Sequence, residues 1–188
     1  NFCLNEELII KSTTLPLKYY DIDAAIIFSD ILMIPWAMDR EVKFTKNFGP
    51  SLRPMIPDET KILKNISISS KLEPLKNSIS FLRDNLPKSI SLIGFAGAPW
   101  TLACYMIEGT GSKDFINTRK ALWSSYKWFM ELIETLIIHI ADKLEMQARA
   151  GADILMIFDS WSHMIPNNFF DDCAIRPTAK IVDILRSR

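Results

Sequence analysis

Three short apolar runs, Ala24 to Phe28, Ile90 to Phe95 and Ile154 to Phe158, punctuate a chain whose other hydrophobic positions mostly recur at helical spacing. Runs of this kind without alternation predict strands buried on both faces. Glu6 to Tyr20 carries Leu8, Ile9 and Leu15 at helical intervals, with a break expected at Pro16. Asp58 to Leu86 reads as a similar helical stretch, interrupted at Ser67 to Ser70 and at Pro74. The longest helical signal, Trp123 to Arg149, sets Phe129, Leu132, Ile133, Leu136, Ile137, Ile140 and Leu144 on one face, and Gly151 supplies its stop. A last helix is expected over Phe169 to Arg188.

Apolar strands separated by long helical segments are the pattern of parallel βα units, because parallel neighbours need a crossover between them. The three runs are therefore expected to lie side by side in one parallel sheet. Glu41 to Pro57 alternates on both sides of Asn47-Phe48-Gly49-Pro50, which predicts a hairpin-like excursion in the first βα connection. No repeat of fixed period and no low-complexity tract accompanies this pattern.

Composition narrows the class. With 188 residues, 48% hydrophobic and 23% charged, the chain has the make-up of one soluble globular domain. Lys and Arg number 22 against 22 Asp and Glu, so net charge advertises neither a nucleic-acid nor an anionic-membrane partner. Ser89 to Ile107 is free of charge, but Gly94, Gly97 and Pro99 interrupt it, and a strand running into a turn accounts for them better than a membrane span. Cys3, Cys104 and Cys173 are an odd set without CxxC spacing, which predicts free thiols in a reducing, cytoplasmic setting. The opening Asn1 to Asn5 carries no targeting signal, and the chain is expected to begin inside a domain.

Polar groups arrive where each strand ends: Ser29-Asp30, Gly97 with Tyr105 beyond it, and Asp159-Ser160. Ligands of parallel α/β proteins bind at that rim, so Asp30, Gly97, Tyr105 and Ser160 are expected to face one cavity. Simpler readings exist for each. Asp30 and Ser160 could be helix caps, Tyr105 a packing aromatic, His139 a structural histidine on the apolar helix face, and Met33, Met38, Met106 and Met156 adaptable packing. Asp30 stands apart because it is embedded among Ile27, Phe28, Ile31 and Leu32, where an ionised carboxylate is costly without hydrogen-bond donors. A GxSxG elbow, an HExxH zinc motif and a phosphate loop are all missing.

Asp23 to Leu32 (DAAIIFSDIL), Gly94 to Leu102 (GFAGAPWTL) followed by Tyr105 to Gly109 (YMIEG), and Gly151 to Trp161 (GADILMIFDSW) occur in one order at one spacing. Together they resemble the uroporphyrinogen decarboxylase family over most of the chain. The resemblance implies a TIM (β/α)8 barrel, of which the chain would cover strands two to four. A full barrel takes eight strands and about 250 residues, so residues 1–188 are expected to form a partial barrel domain from the middle of a longer protein. It further implies a homodimer and no cofactor. The matching positions make Asp30 and Tyr105 catalytic, with Asp30 accepting hydrogen bonds from the substrate's pyrrole N–H groups. Ser160, Gly97, Phe95 and Ile26 become substrate-binding. His163 departs from the small residues common in the family at that place.

The implied reaction removes the carboxyl groups of four acetate side chains from uroporphyrinogen III to give coproporphyrinogen III. Protonating a pyrrole ring carbon creates a cation into which the C–CO2 bonding electrons flow, and a fixed carboxylate would stabilise that cation more than the neutral ground state. The family's arginine-bearing and histidine-bearing segments have no counterpart among these motifs, and so the missing cationic groups are expected outside the chain. Two rival readings are a corrinoid-type zinc methyltransferase of the same superfamily and a non-catalytic tetrapyrrole-binding relative.

Overall fold

The computed structural model describes residues 2–45 and 49–188. In chain order, helix α1 (Glu6–Thr14) leads to β1 (Ala24–Ile26) and α2 (Met33–Ala37), then to the strands β2 (Val42–Thr45) and β3 (Gly49–Leu52). A single helical turn α3 (Thr60–Leu63) precedes α4 (Glu73–Asn85), β4 (Ser91–Gly97) and α5 (Pro99–Glu108). The chain continues through α6 (Ile116–Ser124), α7 (Tyr126–Arg149), β5 (Ile154–Phe158) and α8 (Arg176–Ser187).

The sheet order is β1-β4-β5 and both pairings are parallel, with Ala25 opposite Leu92 and Phe95 opposite Met156. The three apolar runs are thus neighbours in one sheet, as their pattern predicts. β2 and β3 form a separate antiparallel pair with Val42 opposite Leu52. The expected turn of this hairpin lies at residues 46–48, outside the described residues. The pair is tied to the end of α5 by main-chain hydrogen bonds from Leu52 N to Gly109 O (2.6 Å) and from Met55 N to Met106 O (2.8 Å).

Burial on both faces holds only for β4. One face of the sheet, with Ala25, Ile27, Leu92 and Ala96, is sealed under the helices. On the opposite face Ile26 is 49% exposed, Phe28 40%, Ile154 45% and Met156 37%. β1 and β5 are the edges of this sheet, and among the described residues no layer covers that face. Continuous apolarity records the environment a strand is built for, and here one face of these strands is open.

Helix boundaries differ from the periodicity in three places. Trp123 belongs to α6, and Ser125, at φ −140° and ψ 42°, breaks the path before α7 begins. Pro74 opens α4 rather than interrupting a helix, because a first-turn residue has no N–H to contribute. The last helical stretch starts with a π-type turn over Asp171–Ile175 before α8. Elsewhere the expected stop is as read: α7 ends at Arg149 and Gly151 turns the chain at φ 110°.

α7 crosses the covered face and does more than bury apolar area. The ladder between β1 and β4 ends with Ile27 N donating to Ile93 O at 2.9 Å, after which the two strands part. The next free groups on that edge of β4 belong to Phe95. Its N–H donates to Gln147 Oε1 (2.9 Å) and its carbonyl accepts from Gln147 Nε2 (3.0 Å), so one buried side-chain amide substitutes for the missing strand. The close approach requires Gly94, where a Cβ would stand 2.7 Å from Gln147 Oε1.

Replacing Gln147 by Leu leaves both Phe95 main-chain groups buried without partners, at about 1–3 kcal/mol each, and is expected to lower the unfolding free energy by roughly 2–5 kcal/mol in urea titrations. Gly94→Ala should cost about 1–3 kcal/mol alone. It should cost measurably less in a Gln147→Ala background, where the colliding amide is gone.

Candidate functional site

The carboxyl ends of β1, β4 and β5 are knitted together by the segments that follow them. After β1, Asp30 forms a local turn in which its Oδ1 accepts the Leu32 N–H at 2.7 Å and its main-chain carbonyl accepts the Met33 N–H at 3.2 Å. Ile31 then packs on the end of β4. A Cβ at Gly97 would sit 3.0 Å from both the Ile31 Cβ and Leu102 Cδ2, so the glycine there serves the fit of the β1 and β4 loops.

After β4, α5 begins at Pro99, and its first turns reach across to β5. The Thr101 hydroxyl donates to Asp159 Oδ1 (2.6 Å) and accepts the Trp161 N–H (3.2 Å), while the Trp100 indole N–H donates to Trp161 O (2.9 Å). Burial raises the Asp159 carboxyl above the usual aspartate range, and the Thr101 hydrogen bonds pull in the opposite direction. Trp161 packs against Phe115 at a centroid distance of 4.9 Å and faces the Tyr105 ring at 6.4 Å. Tyr105 is half-buried, and its phenol is pushed up by burial first and by the charge of Asp30 as well.

Of the predicted residues, Asp30 lines a cavity of about 430 Å³ together with Phe2, Cys3, Phe28, Ser29 and Trp36. Gly97, Tyr105, Ser160, Phe95 and Ile26 lie outside that lining. Phe95 is 8% exposed, stacked edge-on against Phe158 at 5.3 Å, and Ile26 points from the open face of the sheet. Ser160 is exposed on the turn after β5 and caps no helix, and two residues on the Ser162 hydroxyl donates to Asp159 O (3.0 Å). His163 is exposed on the next turn, and His139 is buried with its ring nitrogens 2.8 Å from Thr135 O and 3.0 Å from Ile66 O.

Sequence reasoning passed over Thr101, Gln147 and Lys143, and it treated Asp159 only as a neighbour of Ser160. Their signal was available: Lys143 and Gln147 fall on the apolar stripe of α7, seven and eleven residues after Leu136, where polar side chains must find buried partners. Among the described residues two polar atoms at the rim are buried without a partner, Ser29 Oγ and Trp161 Nε1, one beside each edge of the sheet's carboxyl end.

The cysteines are free thiols. Burial pushes Cys173 up to about 12 and Cys104 higher still. Among the described residues no group of three His, Cys, Asp or Glu side chains is placed to hold a metal ion, and no helix is long and apolar enough to cross a membrane.

The family model for uroporphyrinogen decarboxylase (URO-D) matches residues 1–188. The chain belongs to the uroporphyrinogen decarboxylase family. A uroporphyrinogen decarboxylase of Maricaulis maris is 38% identical over 187 residues, covering 100% of this chain and 54% of the relative. One of Rickettsia africae is 41% identical over 182 residues, covering 97% and 53%. The chain therefore spans about half the length of the curated relatives it matches. A methyltransferase from Methanosarcina mazei superposes with a TM-score of 0.72 at 17% identity, over 97% of this chain and 54% of that one, which bears on the fold alone. Family and fold neighbour together imply a TIM-barrel-type architecture, and both curated relatives carry the decarboxylase name.

In this family member the Thr101 hydroxyl is the joint between β4 and β5. Thr101→Val removes a donor to the Asp159 carboxylate, so the Asp159 carboxyl should titrate higher still by carbonyl-carbon NMR. Losing that donor also leaves the Trp161 N–H without its acceptor, and the variant should unfold about 1–3 kcal/mol more easily.

Proposed function

We propose that the chain carries the Asp30 side of a uroporphyrinogen decarboxylase active site, on strands two to four of the family's barrel. The reaction is the cofactor-independent loss of CO2 from the four acetates of uroporphyrinogen III, yielding coproporphyrinogen III, in a cytoplasmic homodimer. The observation that carries the reading is the setting of Asp30. It stands at the carboxyl end of β1 on the wall of a largely apolar cavity, with one carboxylate oxygen held by a main-chain N–H. It is a fixed, oriented negative charge at the rim where ligands of such folds bind.

A pyrrole N–H can donate to a carboxylate so placed. When the ring carbon is protonated, positive charge develops at that nitrogen and the attraction strengthens. At 4 Å and an effective dielectric near 20, opposite charges attract by about 4 kcal/mol, which is roughly three powers of ten in rate. The charge contributes little to holding the neutral ring and much to the transition state, so it acts on turnover. Tyr105, through its hydroxyl, and Ser160 are assigned to the substrate's acetate side, and Gly97, Phe95 and Ile26 to the surface against which the macrocycle lies. The eight carboxylates of the substrate call for arginines, which these strands do not bring to the rim.

The test is a chimaera in which residues 1–188 replace the matching half of the Rickettsia africae relative, assayed for decarboxylation of uroporphyrinogen. The chimaera should turn over. Asp30→Asn, which keeps the shape and removes the charge, should lower kcat by about a thousandfold with little change in KM. Asp30→Glu should also be impaired, because the added methylene moves the carboxylate. An Asn variant as active as its parent would leave Asp30 a turn-forming residue and sink the mechanism.

A further inference from the structure

Lys143 is a charged feature of the rim that the proposed reaction does not use. It sits on α7 and is fully buried. Its Nζ donates to the main-chain carbonyl of Asp30 at 3.3 Å and lies 5.5 Å from the centroid of the Phe95 ring. An ammonium has three donors, and this one makes a single long hydrogen bond plus a contact with an aromatic face. Burial on that scale is costly, and an apolar side chain of similar length would fill the space more cheaply. The titratable groups that face it are Asp30, from the β1–α2 loop, and Cys3, from the turn before α1.

We infer that Lys143 is a positioning residue for Asp30: a buried cation behind the β1–α2 loop that clamps the Asp30 main chain and balances its carboxylate from the side away from the rim. The role rests on the reading of Asp30 as the charged group of the site. Among the described residues Asp30 accepts from three donors, Leu32 N–H on the carboxylate and Met33 N–H with Lys143 Nζ on the carbonyl, and of these Lys143 reaches it from another element. The arrangement resolves an electrostatic conflict. A carboxylate meant to stabilise a cation also repels the carboxylates of a polyanionic ligand, and a compensating charge behind it lowers that repulsion while leaving the short-range interaction at the rim intact. Burial brings the Lys143 ammonium down to about 8, and the charges of Asp30 and Cys3 oppose the fall.

The experiment follows the lysine ε-carbons by NMR through a pH titration of the intact chain, with Lys143 assigned by its loss in Lys143→Met. In Asp30→Asn the Lys143 midpoint should move to lower pH, because the carboxylate that favours the ammonium is gone. An unchanged midpoint would overturn the inference, since a lysine serving only to fill space would not register the Asp30 charge. Lys143→Met should fold with a melting temperature near that of the parent, and in the active chimaera it should lower kcat by about tenfold, with the Asp30→Asn and Lys143→Met double variant no slower than Asp30→Asn alone. Additive losses would count against the inference. The two readings fail separately: a shifted midpoint with an active Asn variant removes the reaction and keeps the pairing, whereas a fixed midpoint with an inactive Asn variant does the reverse.

Discussion

The bond pair between the Gln147 amide and the Phe95 main chain is the constraint on which the rest depends. β1 can leave β4 early only because something else satisfies the exposed edge of β4 in a place water cannot reach. The early departure is what allows Ile27 to Ile31 to swing across the end of β4, bringing Asp30 to the rim and Ile31 against Gly97. A longer β1 would keep the ladder complete and carry the carboxylate elsewhere. Gly94 and Gln147 are therefore one device: the missing side chain on the strand makes room for the long one from the helix.

The same helix supplies both answers to that split. One turn before Gln147, Lys143 occupies the gap nearer the rim, so α7 presents first a cation and then an amide to the parted strands. The neutral group completes the backbone pairing and the charged one attends to Asp30. On the β5 side the corresponding joint is made by the Thr101 hydroxyl, the Asp159 carboxyl, the Trp100 indole and the Trp161 main chain. The two halves of the rim are thus fixed by different chemistry, a buried ammonium beside β1 and a hydroxyl bonded to a carboxyl group beside β5.

The chain order of strands and helices, the hairpin excursion and the free thiols were legible from spacing and residue type. Apolar runs and crossovers are properties of contiguous sequence. The open face of β1 and β5 was not legible, because Ile26 and Met156 look the same in sequence whether or not a neighbour covers them. Pro74 was misread as an interruption since a proline that starts a helix and one that breaks it differ only in what precedes them. Asp30 was legible as an anomaly among apolar neighbours. Lys143 and Gln147 were not, although they lie on the apolar stripe of α7, because a polar residue on such a stripe gains meaning only when the strand opposite it is known to part. The two glycines of the β4 motif were legible as marks of a strand running into a turn. What approaches them, Gln147 at Gly94 and Ile31 with Leu102 at Gly97, depends on tertiary contact.

The open face of the sheet carries a consequence for handling the chain in solution. Ile26, Phe28, Ile154 and Met156 form an apolar band on β1 and β5, whose outer N–H and C=O groups have no ladder partner among the described residues. Such an edge templates pairing with any extended segment that meets it, including another copy of itself, and the band beside it rewards stacking. Colloidal behaviour will accordingly be governed by concentration and by mild solubilising additives more than by pH near neutrality, where the balance of 22 cationic and 22 anionic side chains offers no net repulsion to keep molecules apart.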